Sequence, residues 1–268
     1  PGNRYAEKFK HVVEPTFAIQ RITAVDQFDR IVQLEGPDYI VGGTTRINYG
    51  LSNRLYAKKT QASREILTAT LSQSYYTNAR AAQFDRQYQS SFTSGSAPTH
   101  FSPVALQLRG APTDRFQGEF RTEWDPTAQA LRTLAANGSF SSSDWLQATA
   151  GWSQRRYIPG LPGFNSQAGA TNYLNASANI RQLQGRVGGS YTFNYDLRRD
   201  AFLQQRYTGY FNAQCCGIAV EYQTFNYGGS LAAYGLLQDR RFNLSFTLAG
   251  IGTFSNLFGA FGGQQGWR

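Results

Sequence analysis

Residues 203–227 run LQQRYTGYFNAQCCGIAVEYQTFNY. After the turn, Ile218, Val220 and Tyr222 alternate with Ala219, Glu221 and Gln223, the period of a strand with one apolar and one polar face. Residues 203–212 form the strand before it, and Ala213, Gln214, Cys215, Cys216 and Gly217 make the tight turn between them. The stretch is therefore an antiparallel hairpin. Cys215 and Cys216 are the only cysteines in the chain. Adjacent cysteines bond to each other only through a strained ring. Their sulfurs stay free, bind a ligand, or bridge to a segment outside this chain.

The same alternation extends in both directions. Toward the end, Phe242, Leu244, Phe246 and Leu248 alternate with Asn243, Ser245, Thr247 and Ala249. Toward the start, strands are expected at 10–22 (interrupted by Pro15), 44–58, 63–76, 101–109, 115–124, 131–140, 145–153, 171–181 and 185–197. With the hairpin and the last strand this makes roughly twelve strands of about ten residues, the length that crosses a bilayer when tilted. No segment has the periodicity of an amphipathic helix, and none is apolar for long enough to be a membrane helix. The fold class is all-β, an antiparallel sheet.

Alternation does not say which face is inside. A soluble barrel turns its apolar face inward; a membrane barrel turns it to lipid and keeps a wet lumen. Three features favour the membrane. The strands exceed the usual five or six residues. Arg, Glu, Gln and Asn stand in mid-strand on the polar face. Tyr, Phe and Trp recur near strand ends, as in an interfacial girdle. Connection lengths agree. The long loops 23–43, 78–99, 156–170 and 228–239 fall on one parity, and the short turns near Thr60, Pro112, Ser142, Gln184 and Gln214 on the other. Outer-membrane barrels have long outer loops and short periplasmic turns. The cysteines then lie in the periplasm, where disulfides persist.

Composition is compatible with this. Of 268 residues, 41% are hydrophobic and 15% aromatic, with a formal net charge of +9. Such a charge suits a solvated surface or phosphate-rich partners such as anionic lipid headgroups. The basic residues are scattered and form no nucleic-acid motif, so no nucleic-acid partner is expected. The chain begins at Pro1 and contains no Met, which suggests an internal or C-terminal piece of a longer, processed protein.

Six stretches carry a family resemblance: KFKHVVEPTFAIQR, GLSNRLYAKK, SREILTATLSQSYY, FSPVALQLRGAPTD, AQCCGIAVEYQ and RRFNLSFTLAGIGTF. Together they resemble the C-terminal half of the barrel of the LptD family, the lipopolysaccharide-assembly outer-membrane proteins. The vicinal cysteines followed by two closing strands are the most specific part. The resemblance implies a barrel of about 26 strands preceded by a periplasmic jelly-roll domain, with residues 1–268 as one portion of the barrel domain. It implies that lipopolysaccharide arrives along the periplasmic domain and leaves sideways between the first and last strands. The partners would be an LptE-like plug lipoprotein in the lumen and, through the absent N-terminal domain, a periplasmic lipopolysaccharide bridge protein. Phe242, Leu244, Phe246, Leu248 and Gly250 would lie in the final strand, one lip of the gate. Cys215 and Cys216 would bridge to cysteines of the N-terminal region, which this chain lacks. The location would be the outer membrane of a Gram-negative cell.

Other residues weigh against catalysis. His11 and His100 are the only histidines, and neither has a nucleophile and orienting acid at a suggestive spacing. No metal site or cofactor is expected; the cysteines have no histidine nearby. Pro15 and Pro103 mark an edge, a bulge or a strand start, or a bend in the wall. Arg46, Arg54, Arg109, Arg121 and Arg206 fall on the polar face. They either pair with Glu119, Glu123 and Glu221 on neighbouring strands or meet lipopolysaccharide phosphates or the plug protein. The alternative to a translocon is a self-contained pore or secretion channel of about twelve strands. A barrel enzyme would need a constellation around His11 or His100 that the sequence does not offer.

Overall fold

The computed structural model describes residues 5–24, 43–59, 62–79, 99–142, 145–182, 185–226, 238–248 and 252–254. Alternating, β-rich sequence yields long strands: β1 (Lys8–Ile22), β2 (Thr44–Lys59), β3 (Ala62–Tyr76), β4 (Val104–Thr113), β5 (Phe116–Asp125), β6 (Ala130–Ser142), β7 (Leu146–Arg155), β8 (Thr171–Gln182), β9 (Val187–Asp196), β10 (Ala201–Asn212), β11 (Cys216–Asn226) and β12 (Gln238–Leu248), then the short β13 (Gly252–Phe254). Sheet order is chain order, β1 through β13. The 3-10 turn Gln167–Gly169 is the one helical element in the element order.

The chain divides into two compact units, residues 1–136 with 153–171 and residues 137–152 with 172–268. In the first, β1 to β5 pair antiparallel. In the second, β8 to β13 do the same. Connections after even-numbered strands are all short: residues 60–61, 114–115, 143–145, 183–186, 213–215 and 249–251. Those after odd-numbered strands include every long one, 23–43, 77–103, 156–170 and 227–237, as the parity predicts. Two connections on this side, 126–129 and 197–200, are nonetheless tight turns. The interiors of three long connections lie outside the described residues.

Burial decides which face is which. Phe17 is 68% exposed and Phe242 55%, whereas Glu123 is 0% exposed and Ser52, Ser74 and Gln223 are buried. The apolar face looks out and the polar face is covered, the inverse of a soluble core and the arrangement of a membrane wall. Aromatics stand exposed at the strand ends: Phe9, Phe116, Trp145 and Phe211 near the short turns, Trp124, Phe202 and Tyr157 at the other end. The buried apolar cluster of Ile158, Leu161 and Phe164 belongs to a connection, with Ala128 of a turn and Ala130 of β6 packed against it.

Two expectations need correction. Pro15 does not interrupt β1; it stands opposite Leu51 in an unbroken register, since a proline nitrogen turned away from the partner strand costs that ladder no donor. Pro103 immediately precedes β4, the strand start that was one of its sequence readings. The sheet also does not end with 242–250: β12 stops at Leu248, and β13 pairs back with it through Phe246↔Phe254, Thr247↔Thr253 and Leu248↔Gly252. Gly250 lies outside the described residues.

Candidate functional site

Period-two alternation puts all five arginines singled out from sequence on the polar face, and four of them, Arg54, Arg109, Arg121 and Arg206, have a carboxylate beside them. In the first unit Arg54 Nε lies 3.2 Å from Glu14, Arg109 Nε 3.7 Å from Glu119, and Arg121 Nη2 3.7 Å from Glu123. Gln107 donates to Glu119 at 2.6 Å and Thr133 to Glu123 at 3.1 Å. Arg46 reaches the side-chain oxygen of Asn48 at 3.2–3.3 Å, while the Asn48 amide donates to Ser74 Oγ. In the second unit Glu221 collects Arg206 at 2.8 Å, Gln223 at 2.6 Å and Asn243 at 3.1 Å. Four of the five arginines are in charge pairs, with Glu14 as an unanticipated partner of Arg54, and Arg46 meets an amide oxygen instead. The exposed pairs contribute about 0–1 kcal/mol each. They make a wet, charge-balanced lining.

Sequence reasoning missed a buried cluster at the long-connection end of the first unit. Asp125, the last residue of β5, forms an ion pair with Arg132 in which both side chains are almost fully buried. Its Oδ1 also accepts from the N–H of Thr127 and Ala128, each at 2.8 Å. The carboxylate thus caps the 126–129 turn. Phe164 inserts between two cations, 5.2 Å from the Arg132 guanidinium and 4.1 Å from that of Arg155. Arg155 also donates to the carbonyl of Gly163. The 156–170 connection is fastened to the wall by this clamp. In the second unit Asp196 caps the 197–200 turn in the same way, accepting from Arg198 N at 2.9 Å and Arg199 N at 3.3 Å. An acid closing a strand just before a turn, as in Trp124-Asp125-Pro126-Thr127, was the available signal.

The cysteine turn is tight. Asn212 N donates to Arg186 O at 2.6 Å, and Ala213 N to Cys216 O at 2.7 Å. Asn212 Oδ1 lies 2.5 Å from where a Cβ on Gly217 would sit, so glycine is favoured there. Cys215 is exposed and Cys216 half-buried, both as free thiols, with their sulfurs 3.3 Å apart. Cys216 stands opposite Leu248 of β12, so the turn sits beside the expected gate strand. Along that strand Phe242, Leu244 and Phe246 stand opposite Tyr222, Val220 and Ile218 on the apolar face. The histidines lie apart from these groups: His11 is opposite Leu55, and His100 Nδ1 lies 2.8 Å from Tyr76 O with its ring stacked on Tyr75.

The family model described as "LptD: LPS transport system D" matches residues 26–188. The chain belongs to this family. No curated protein matches the sequence. Among solved structures the chain is similar to a triply substituted mutant of Rh. blastica porin, at 8% identity and TM-score 0.35, over 91% of this chain and 90% of that one. It is also similar to a second triple mutant of Rhodopseudomonas blastica porin, at 9% identity and TM-score 0.35, over 92% and 93%.

As an LptD-family chain it is an outer-membrane protein of lipopolysaccharide transport, crossing the membrane with strands. Outer-membrane barrels place short turns in the periplasm and long connections outside. That puts the 213–215 cysteine turn in the periplasm and the Phe164 clamp at the cell surface.

Proposed function

We propose that this chain is the C-terminal portion of one LptD barrel domain, and that lipopolysaccharide leaves that barrel sideways along β12 to enter the outer leaflet. The supporting observation is the two-faced register of β12 in a chain whose family is that of lipopolysaccharide transport. The strand offers what a molecule with sugars on one side and acyl chains on the other requires. Phe242, Leu244 and Phe246 face outward, while Asn243 and Ser245 stand with Glu221 and Ala219 on the polar side. Cys215 and Cys216 bridge to an upstream periplasmic region in the full-length protein, tying its orientation to the strand that opens. An LptE-like plug lies against the polar wall, and a periplasmic bridge protein delivers lipopolysaccharide.

In cells, a photoactivatable residue at Asn243 of the full-length protein is expected to capture lipopolysaccharide. The same probe at Thr68, on the polar face of β3, should capture little. Equal capture at both positions, or none at Asn243, excludes an exit along β12. Non-reducing electrophoresis tests the bridges: reduction should shift the wild-type band and leave a Cys215→Ser, Cys216→Ser variant unmoved. A wild-type band indifferent to reduction removes that part.

A further inference from the structure

The membrane-facing side of β8 to β12 is uneven. Gly189 stands opposite Gly209, between Ile180 on β8 and Val220 on β11. Two adjacent strands thus present bare backbone. The next outward-facing row is Tyr191, Tyr207 and Tyr222, with the first two rings stacked 4.6 Å apart. Rows and gap together form an open trough of about 670 Å³. A Cβ on Gly209 would meet nothing within 4 Å. At the head of the trough the hydroxyls of Tyr207 and Tyr191 donate to Gln205 Oε1 at 2.9 and 3.3 Å, which satisfies a polar group on an otherwise apolar face.

Beyond Gln205, toward the outer end, lies a recess of about 330 Å³ lined by Phe202, Gln205, Thr224 and Arg240, and also by Asp239, whose carboxylate is held by Arg241. Arg240 stands opposite Thr224 just as Phe242 stands opposite Tyr222, so this cation belongs to the hydrocarbon-facing side. It is exposed, and among the described residues no carboxylate pairs with it. Its neighbour Arg241 is on the polar side, held by Asp239 at 2.7 Å and lying 5.3 Å over Phe225. A lipid-facing arginine is costly at the midplane and nearly free near an interface. Arg240, the third residue of β12 at its outer end, is where headgroup phosphates lie, and a guanidinium without a carboxylate partner can pair with a phosphate there.

Recess and trough are one lipid apart. Four residues separate Thr224 from Val220 and Arg240 from Leu244, about 13 Å along a strand. At a tilt near 45° that is about 9 Å of depth, well inside one leaflet. The geometry points to a bound-lipid site: Arg240 takes the phosphate of an outer-leaflet lipid, and the Gly189–Gly209 trough takes one of its acyl chains. The occupant is the phosphorylated glycolipid of that leaflet, lipopolysaccharide, an identification that rests on the transport proposed above. A periplasmic-leaflet phospholipid would carry its phosphate at the opposite end, away from Arg240.

The test uses full-length protein in phosphatidylethanolamine vesicles that already hold lipopolysaccharide, or enzymatically dephosphorylated lipopolysaccharide, in both leaflets. A photoactivatable residue replaces Thr224. The wild-type background should capture the phosphorylated glycolipid. Arg240→Gln should lower capture at least fivefold, Arg240→Lys should retain most of it, and Gly209→Leu, which fills open space, should lower it as well. Heat-modifiable mobility establishes that each variant is folded. Equal capture of dephosphorylated glycolipid or of phospholipid overturns the site, as does capture indifferent to both Arg240→Gln and Gly209→Leu. Because the lipid is supplied in place, absence of capture refutes the site and leaves transport standing. Persistent capture by a protein that does not transport refutes only the transport reading.

Discussion

Replacing Arg132 by Met isolates the surface clamp. The substitution keeps bulk but removes the cation from a pair in which both side chains are almost fully buried. Removing one partner of such a pair costs about 3–5 kcal/mol, because the other charge is left uncompensated. Here Asp125 keeps two N–H donors, from Thr127 and Ala128, which places the loss near the lower end of that range. Arg132 also lies over Phe164, but the closer Arg155 remains, so the cation–π share adds at most about 1 kcal/mol. A local loss of about 3–4 kcal/mol raises the open population of the 156–170 connection by about 10²–10³. Hydrogen exchange reads this at Ile158 and Phe164, whose N–H groups donate to Phe164 O at 3.0 Å and Leu161 O at 2.9 Å. Adding Asp125→Asn should restore much of the protection, since the amide oxygen still caps the turn and neither charge remains. Protection unchanged within threefold in Arg132→Met, or a double variant worse than the sum of the singles, would refute the clamp.

Gly188→Val should lower thermal stability by about 1–3 kcal/mol through overpacking: its Cβ would collide with the Tyr210 hydroxyl and lie 2.7 Å from Ile180 O. Gly209→Ala, which meets nothing, is the neutral control, and equal effects in a melting experiment would contradict the register. Leu244→Arg should destabilise the folded barrel by about 2–4 kcal/mol, the midplane cost on a lipid face, while Asn243→Arg stays within about 1 kcal/mol; the reverse order in denaturant titrations would invert the wall. Glu221→Gln removes the carboxylate of the half-exposed pair with Arg206 and should change stability by no more than about 1 kcal/mol; a larger loss, insensitive to salt, would mean the wall is drier than described. Gln129 holds a left-handed φ of 50° in the 126–129 turn, so Gln129→Gly should leave stability equal or raise it by about 1 kcal/mol; a clear loss in the melting temperature would show that its side chain matters there.

Much of the wall was legible because its signals are local. Alternation in 218–223 and 242–249 predicts strands from neighbours alone, and the parity of connection lengths predicts an antiparallel meander. Strand ends were less legible. β6 runs to Ser142 and β1 begins at Lys8, beyond the alternating residues, because ladder bonds to a neighbouring strand extend a strand past its side-chain pattern. Glu119, Glu123 and Glu221 were anticipated as arginine partners since each is one strand or two residues away. Glu14 was not, since its meeting with Arg54 depends on the β1–β2 register.

The clamp marks the other limit. The 156–170 segment reads as a long loop, and nothing in it announces that the Phe164 ring will meet both Arg132 and Arg155. Those residues meet only after β5, β6 and β7 have been brought together. Orientation of the wall is the deeper case. A period of two is the same pattern whether its oily face turns inward or outward, so the alternation could name two faces without assigning them. Burial assigned them, with Glu123 covered and Phe17 bare. The physical reason is that amphipathicity belongs to a strand, while inside and outside belong to the neighbours and solvent the folded sheet brings to it.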